Sequence, residues 1–176
     1  MAFRTAFADY QGPFMNNRRK TALTTFTVTT DAFAPGGPIP PEYTCSGRNE
    51  SPALQWTGVP AGARSLAVIC EDPDAPSGTF THWILYNIMP ERTGLPRGIP
   101  KKPVLDTGSR HGQNSFGRME YGGPCPPPGK PHRYYFRVHA LDTWLTLRAP
   151  ANRAVIDQAM KDHVLATAEV MGTFSR

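Results

Sequence analysis

Two apolar runs separated by a turn rich in proline and glycine constrain this chain most. Residues 65–70 read Ser-Leu-Ala-Val-Ile-Cys, and residues 83–86 read Trp-Ile-Leu-Tyr. Laid out as strands, both are apolar on both faces, so each needs packing above and below, as in the middle of a sandwich. The segment 133–142 adds a third constraint. Its Tyr134, Phe136, Val138 and Ala140 alternate with Tyr135, Arg137, His139 and Leu141. Both sets are partly apolar, which predicts a strand in the interior of its sheet. Further strands are predicted at 24–30, 53–56, 82–88 and 166–174.

One helix is predicted after Pro150, a residue suited to a first helical turn. Ile156, Met160 and Val164 recur every four residues along one face of it. The 19 prolines and 16 glycines lie between short apolar runs, which favours many turns over disorder. The predicted class is therefore mainly β: an antiparallel β-sandwich with one or two peripheral helices near the C-terminus. No internal repeat or second composition regime divides residues 23–176, which read as a single domain behind a flexible tail of residues 1–22. A 176-residue chain buries roughly two-thirds of its unfolded surface, so it needs neither a metal nor a disulfide to fold. The stretches 31–52 and 90–132 are long for loops, and long loops inside a compact domain are well packed or functional.

The net charge of +5 is unevenly spread. Arg4, Arg18, Arg19 and Lys20 against Asp9 leave the tail at +3, so the body carries +2. No basic stripe interleaved with aromatics appears, so nucleic acid is not an expected partner. No apolar run has the length of a membrane span, and the start of the chain lacks the apolar core of a secretory signal. No membrane insertion is expected, and the default location is cytoplasmic.

Cys45, Cys70 and Cys125 contain no Cys-x-x-Cys, which argues against zinc, and no metal or other cofactor is expected. Cys70 ends an apolar run and reads as a core residue. Cys45 and Cys125 both lie in loops rich in proline and glycine, and their spacing fits a bridge as well as two free thiols.

Two segments carry candidate chemistry. In Cys70–Pro90, Asp72 and Asp74 flank a proline directly after a buried run. Pro73 and Pro76 stiffen the loop, and His82 opens the next strand. A hairpin brings Asp72, Asp74 and His82 to one end of a sheet. An Asp-Pro turn whose aspartate only caps a loop explains the same residues. In the second segment, Gly122 and Gly123 precede a proline cluster, with His132 and Arg133 at the entry to the interior strand. Paired glycines allow backbone N–H groups to approach an anion. His111, His139 and His163 read as structural histidines.

Asp-Pro-Asp-Ala-Pro followed by His-Trp, and Tyr-Gly-Gly-Pro-Cys-Pro-Pro-Pro-Gly followed by His-Arg-Tyr-Tyr-Phe, resemble the phosphatidylethanolamine-binding proteins, also called Raf-kinase-inhibitor-like proteins. The bacterial branch is the more similar. The resemblance extends over about residues 23–176, supported by 39–62, 85–90 and the C-terminal stretch. It departs at Ser115, where bacterial members commonly have aspartate, and at Glu120, where they tend to have glycine.

The resemblance implies a β-sandwich with Greek-key elements and a small pocket for phosphate, acetate or a phosphoryl head group. Carried over by position, the lining is Asp72, Asp74, Pro76, His82, Gly122, Gly123, His132 and Tyr134. Arg133 belongs to the same motif but is expected to point into the structure, and Trp83 to be core. Two carboxylates repel a bare anion. They make sense if one accepts a hydrogen bond from a protonated ligand oxygen, or if they favour the charged form of His82 or His132. The glycine amides would hold the remaining ligand oxygens. On the second reading, binding tightens as pH falls through the histidine range.

A non-enzymatic regulator is expected, with a kinase or serine protease as partner and a homodimer as assembly. The rival is a hydrolase or lyase acting on a small phosphorylated or carboxylated compound through the same residues. Its weakness is the absence of a nucleophile setting such as Gly-x-Ser-x-Gly, with Cys125 held between two prolines on a stiff loop.

Overall fold

The computed structural model describes residues 25–176; the tail expected at 1–22 lies outside them. The apolar run at 65–70 forms the centre of β3 (Ser65–Asp72), buried along its whole length. It pairs antiparallel with β4 (Phe80–Ile88) on one side and β7 (His132–Leu141) on the other. β8 (Val164–Phe174) and β6 (Arg110–His111) complete a five-stranded sheet in the order β6-β4-β3-β7-β8. Against it lies a three-stranded antiparallel sheet of β1 (Thr27–Thr29), β2 (Leu54–Thr57) and β5 (Gly94–Leu95). The two-residue strands β5 and β6 fall in the long stretch 90–132 and are too short to show a period in sequence.

The double-sided burial of β3 and β4 has a direct cause. Leu66, Val68, Cys70, Trp83 and Leu85 face the small sheet, where they meet Val28, Leu54 and Trp56. Ala67, Ile69, Ile84 and Tyr86 face the other way, against Leu141, Leu145, Ile156 and Met160. The second layer comes from the helix α1 (Arg153–Met160) and the chain leading into it. Each fully buried aliphatic side chain contributes about 1.5–3 kcal/mol, so both layers stabilise the sheet.

Asn152 caps α1, its Oδ1 accepting from the Val155 N–H at 3.1 Å. The helix is shorter than its apolar spacing predicts. It ends at Met160, Asp162 turns through φ +65°, and Val164 opens β8 with its side chain exposed. The alternating, β-branched run that follows pairs with β7 over ten registered positions, which outweighs extending a short helix. Pro150 precedes the cap rather than occupying the first turn.

β4 carries an extra residue relative to β3 at two places. Leu66 and Val68 face Ile88 and Leu85, so Ile88 joins Leu85 on the core side. Asn87 takes the strained position there with φ +59°, and its amide holds Leu145 through N–H and C=O at 2.9 and 2.8 Å. The second bulge lies at His82. The chain is also closed across 80 positions by a disulfide between Cys45 and Cys125, whose Cα atoms are 5.4 Å apart. Among the described residues no helix is long and apolar enough to cross a membrane.

Candidate functional site

Register places the site. Cys70 pairs with Trp83, but Glu71 pairs with Thr81 and Asp72 with Phe80, leaving His82 as the unpaired residue of a bulge. A bulge re-aims side chains. Here it sends His82 to the same side as Trp83, while Thr81 faces Glu71 on the helix side. Asp72 continues the inward series Leu66, Val68, Cys70, and His132 and Tyr134 continue the inward series of β7. Three strands thus deliver Asp72, His82, His132 and Tyr134 to one end of the sandwich interior.

A cleft of about 270 Å³ opens there, lined by Asp72, Ala75, Pro76, Ser77, Phe80, His82, Phe116, Cys125, Pro126, Pro127 and His132. Its floor is polar. Asp72 Oδ2 lies 2.8 Å from His132 Nδ1, and Asp72 Oδ1 accepts the Asp74 N–H at 2.8 Å. His82 Nδ1 lies 2.8 Å from the Gly122 carbonyl and 3.1 Å from that of Gly123. Carbonyls only accept, so Nδ1 carries the proton and Nε2 is left for the cleft. Burial pushes the His82 pKa below its ordinary value, although the glycine carbonyls and Asp72 pull the other way. Tyr134 packs edge-on to His82 with ring centroids 5.2 Å apart. Its buried hydroxyl has no hydrogen-bond partner, and burial, then the Asp72 carboxylate, keeps it a neutral phenol.

Several expected residues serve other purposes. Gly122 N–H donates to the His82 carbonyl at 3.0 Å, and Gly123 N–H donates to Asn49 Oδ1 at 2.6 Å. Neither amide is free to cradle an anion. The glycines are needed for close approach instead: a Cβ at Gly122 would meet the Phe116 ring at 2.7 Å, and one at Gly123 would meet Asn49 Oδ1 at 2.8 Å. Their contribution to the cleft is the pair of carbonyls that fixes His82.

Asp74 points away from the floor and forms a two-pronged pair with Arg133, at 2.9 and 2.7 Å. Arg133 therefore lies outward, half exposed, rather than pointing into the structure. Its guanidinium holds the Asp74 carboxyl at about 2. The pair clamps the 73–79 turn to the start of β7. Asp72 does favour the charged form of His82, as one of the two readings has it, but burial outweighs it. Trp83 is core, as is Cys70.

The apolar wall was hidden in the sequence. Phe80 and Phe116 meet edge to face at 4.7 Å, and Phe116 remains 44% exposed. Asn114 Oδ1 accepts from the N–H groups of Phe116 and Arg118, each at 3.0 Å, which fixes the turn that presents the ring. The asparagine-to-glycine signal at 114–117 marks this turn, but not the direction of its phenylalanine. Ser115 bonds to the backbone of Thr81 through its Oγ, and Glu120 lies near Arg118 on the far side of Phe116. Both departures from the family pattern therefore sit beside the cleft and not in it. Among the described residues, no three His, Cys, Asp or Glu side chains are grouped to hold a metal ion.

Two packed antiparallel sheets with a small end-cleft of paired aspartate and histidines define a class of β-sandwich folds. Within that class, the family model for "Phosphatidylethanolamine-binding protein" matches residues 29–175. A UPF0098 protein of Methanothermobacter thermautotrophicus is 50% identical over 149 residues, covering 85% of this chain and 98% of its own. The crystal structure of Escherichia coli YbcL, described as a member of the mammalian PEBP family, superposes with a TM-score of 0.79 at 36% identity, covering 86% of this chain and 98% of its own. The PEBP homologue CT736 of Chlamydia trachomatis gives 0.78 at 38% identity, covering 86% and 97%. The chain belongs to the phosphatidylethanolamine-binding protein family.

Proposed function

We propose that the chain is a non-enzymatic binding protein for small phosphoryl or carboxylate anions, acting as a regulator. The observation that carries this is the floor of the cleft. Asp72, His132 and His82 are buried side by side under apolar walls, in a space sized for one small ligand. The same cleft suits a phosphorylated side chain on a partner protein, which connects anion binding to control of a kinase or serine protease. The hydrolase or lyase alternative loses its thiol, because Cys125 is bonded to Cys45.

Calorimetric titration with O-phosphorylethanolamine at about pH 6, where a phosphomonoester is partly protonated, tests this reading. Saturable heat in the wild type that disappears in a folded His82→Ala variant is the expected result. An absence of binding to the wild type at millimolar ligand refutes it.

A further inference from the structure

The cleft draws on the second half of the long stretch 90–132, and nothing in 90–111 lines it. That first half folds around a cavity of its own, of about 200 Å³. Leu95, Ile99 and Leu105 are its floor, and all three are buried members of the main core. Pro96 and Pro100 add apolar wall without amide N–H groups. Hydrogen bonds hold this shape from behind. The N–H groups of Gly98 and Ile99 donate to the Ser51 carbonyl and Oγ, both at 2.9 Å. Leu105 N–H donates to the Ser109 carbonyl at 2.8 Å. His111 donates its N–H to the Pro103 carbonyl at 2.9 Å and its Nδ1–H to that of Lys102 at 3.0 Å. The cavity is thus formed before any ligand arrives.

Its charged groups are Arg92, Lys102 and Asp106. Lys102 and Asp106 neutralise each other at 2.7 Å, with Asp106 almost wholly in solvent. The main chain of Arg92 is anchored, its carbonyl accepting from Trp56 Nε1 at 2.6 Å. Its side chain is half-buried, and among the described residues the guanidinium has neither a carboxylate nor a hydrogen-bond acceptor. Ser109 is buried beside it, its Oγ accepting from Thr107 at 3.2 Å, and keeps its own O–H as a second donor. An apolar body capped by one unspent cation complements an apolar molecule with a single negative charge. A dianion would leave one charge unbalanced beside Asp106. Since an apolar cavity of about 150 Å³ holds benzene, this one has room for a ring and a carboxylate.

We propose that this cavity is a second ligand site for a small aromatic or short-chain aliphatic monocarboxylate. The carboxylate pairs with Arg92, and the apolar body lies on Leu95, Ile99 and Leu105. The site shares no lining residue with the cleft and stands independently of the reading given for it.

The test is methyl NMR on the folded full-length protein at about pH 7, where a carboxyl group is ionised, with benzoate as probe and benzamide as its uncharged match. The methyl signals of Leu95, Ile99 and Leu105 read this cavity. The Ala75 methyl and the His82 and His132 imidazoles read the cleft. Benzoate is expected to move the first set saturably, and benzamide to bind at least about tenfold more weakly for want of the charge-assisted contact. In Arg92→Gln that preference should vanish, and Arg92→Lys should retain part of it, since charge is kept but the two-pronged fork is lost.

Methyl signals unmoved at about 20 mM benzoate, well above the millimolar Kd that a ligand of this size commands, overturn the inference. Movement confined to the cleft reporters does the same. So does benzamide that binds as tightly as benzoate, or full benzoate affinity in Arg92→Gln.

Discussion

Replacing Cys45 and Cys125 together by serine opens a loop closed across 80 positions. With that loop length, the chain-entropy relation gives about 15 cal/mol/K, or about 4.5 kcal/mol at room temperature, as the stabilisation from restricting the unfolded chain. Measured disulfides deliver about 2–4 kcal/mol, because the unfolded chain retains structure, so the expected loss is about 3 kcal/mol. That is a large share of the roughly 5–15 kcal/mol that holds a domain of this kind.

The assay is urea unfolding of the wild type, oxidised and reduced, beside the double variant. The midpoint should fall in both thiol-free forms. The slope with urea should rise, because an uncrosslinked denatured chain exposes more surface. The double variant also controls for any effect of the reductant. Equal midpoints and slopes in all three samples would refute the reasoning, since the crosslink would then constrain nothing. Cys125 also lines the cleft beside Pro126 and Pro127, so the proposed anion binding should weaken with the bond open. A disulfide of this kind persists in oxidising compartments and in the disulfide-rich cytosol of hyperthermophiles.

Asn87→Ala should cost about 3 kcal/mol in a thermal or urea melt, because it strands the Leu145 N–H and C=O and leaves an alanine at positive φ; a loss under about 1 kcal/mol would mean that the bulge relaxes. In Arg133→Gln the Asp74 carboxyl, held at about 2, should titrate near its ordinary 3.8 by NMR. Asp74 thus contributes stability that is present above about pH 4 and lost as pH falls towards 2, an effect the variant should lack. His139, whose Nε2 is buried without a partner, is pushed by burial down from 6.5 to about 4. The unfolded chain binds its proton first, so this contribution is complete above pH 6.5 and is lost as pH falls. His139→Gln should flatten the drop between pH 6.5 and 4.5, on the order of 2 kcal/mol. An unchanged pH profile in that variant would contradict the assignment.

Much of the sheet was legible in residues 65–70, 83–86 and 133–142, because burial of a strand writes itself locally as alternation or as an unbroken apolar run. The second aromatic of the cleft wall, Phe116, was not, because a turn residue has no period to betray its direction. Asp72, His82 and His132 could be grouped from their motifs, but what each holds could not be read. The partners lie 60 positions apart for Asp72 and His132, and 40 for His82 and Gly122.

The sequence alone determined that the chain is a sandwich and pointed to 70–90 and 114–134 as its candidate site. Those are properties of residue type and local spacing. Only the tertiary structure decided that a bulge turns His82 inward, that Arg133 takes Asp74 out of the cleft, and that the glycines give carbonyls rather than amides. It also closed the Cys45–Cys125 bridge and stopped the helix at Met160. Each depends on pairing register and on competition between distant groups for the same hydrogen bond. No window of neighbouring residues contains that information.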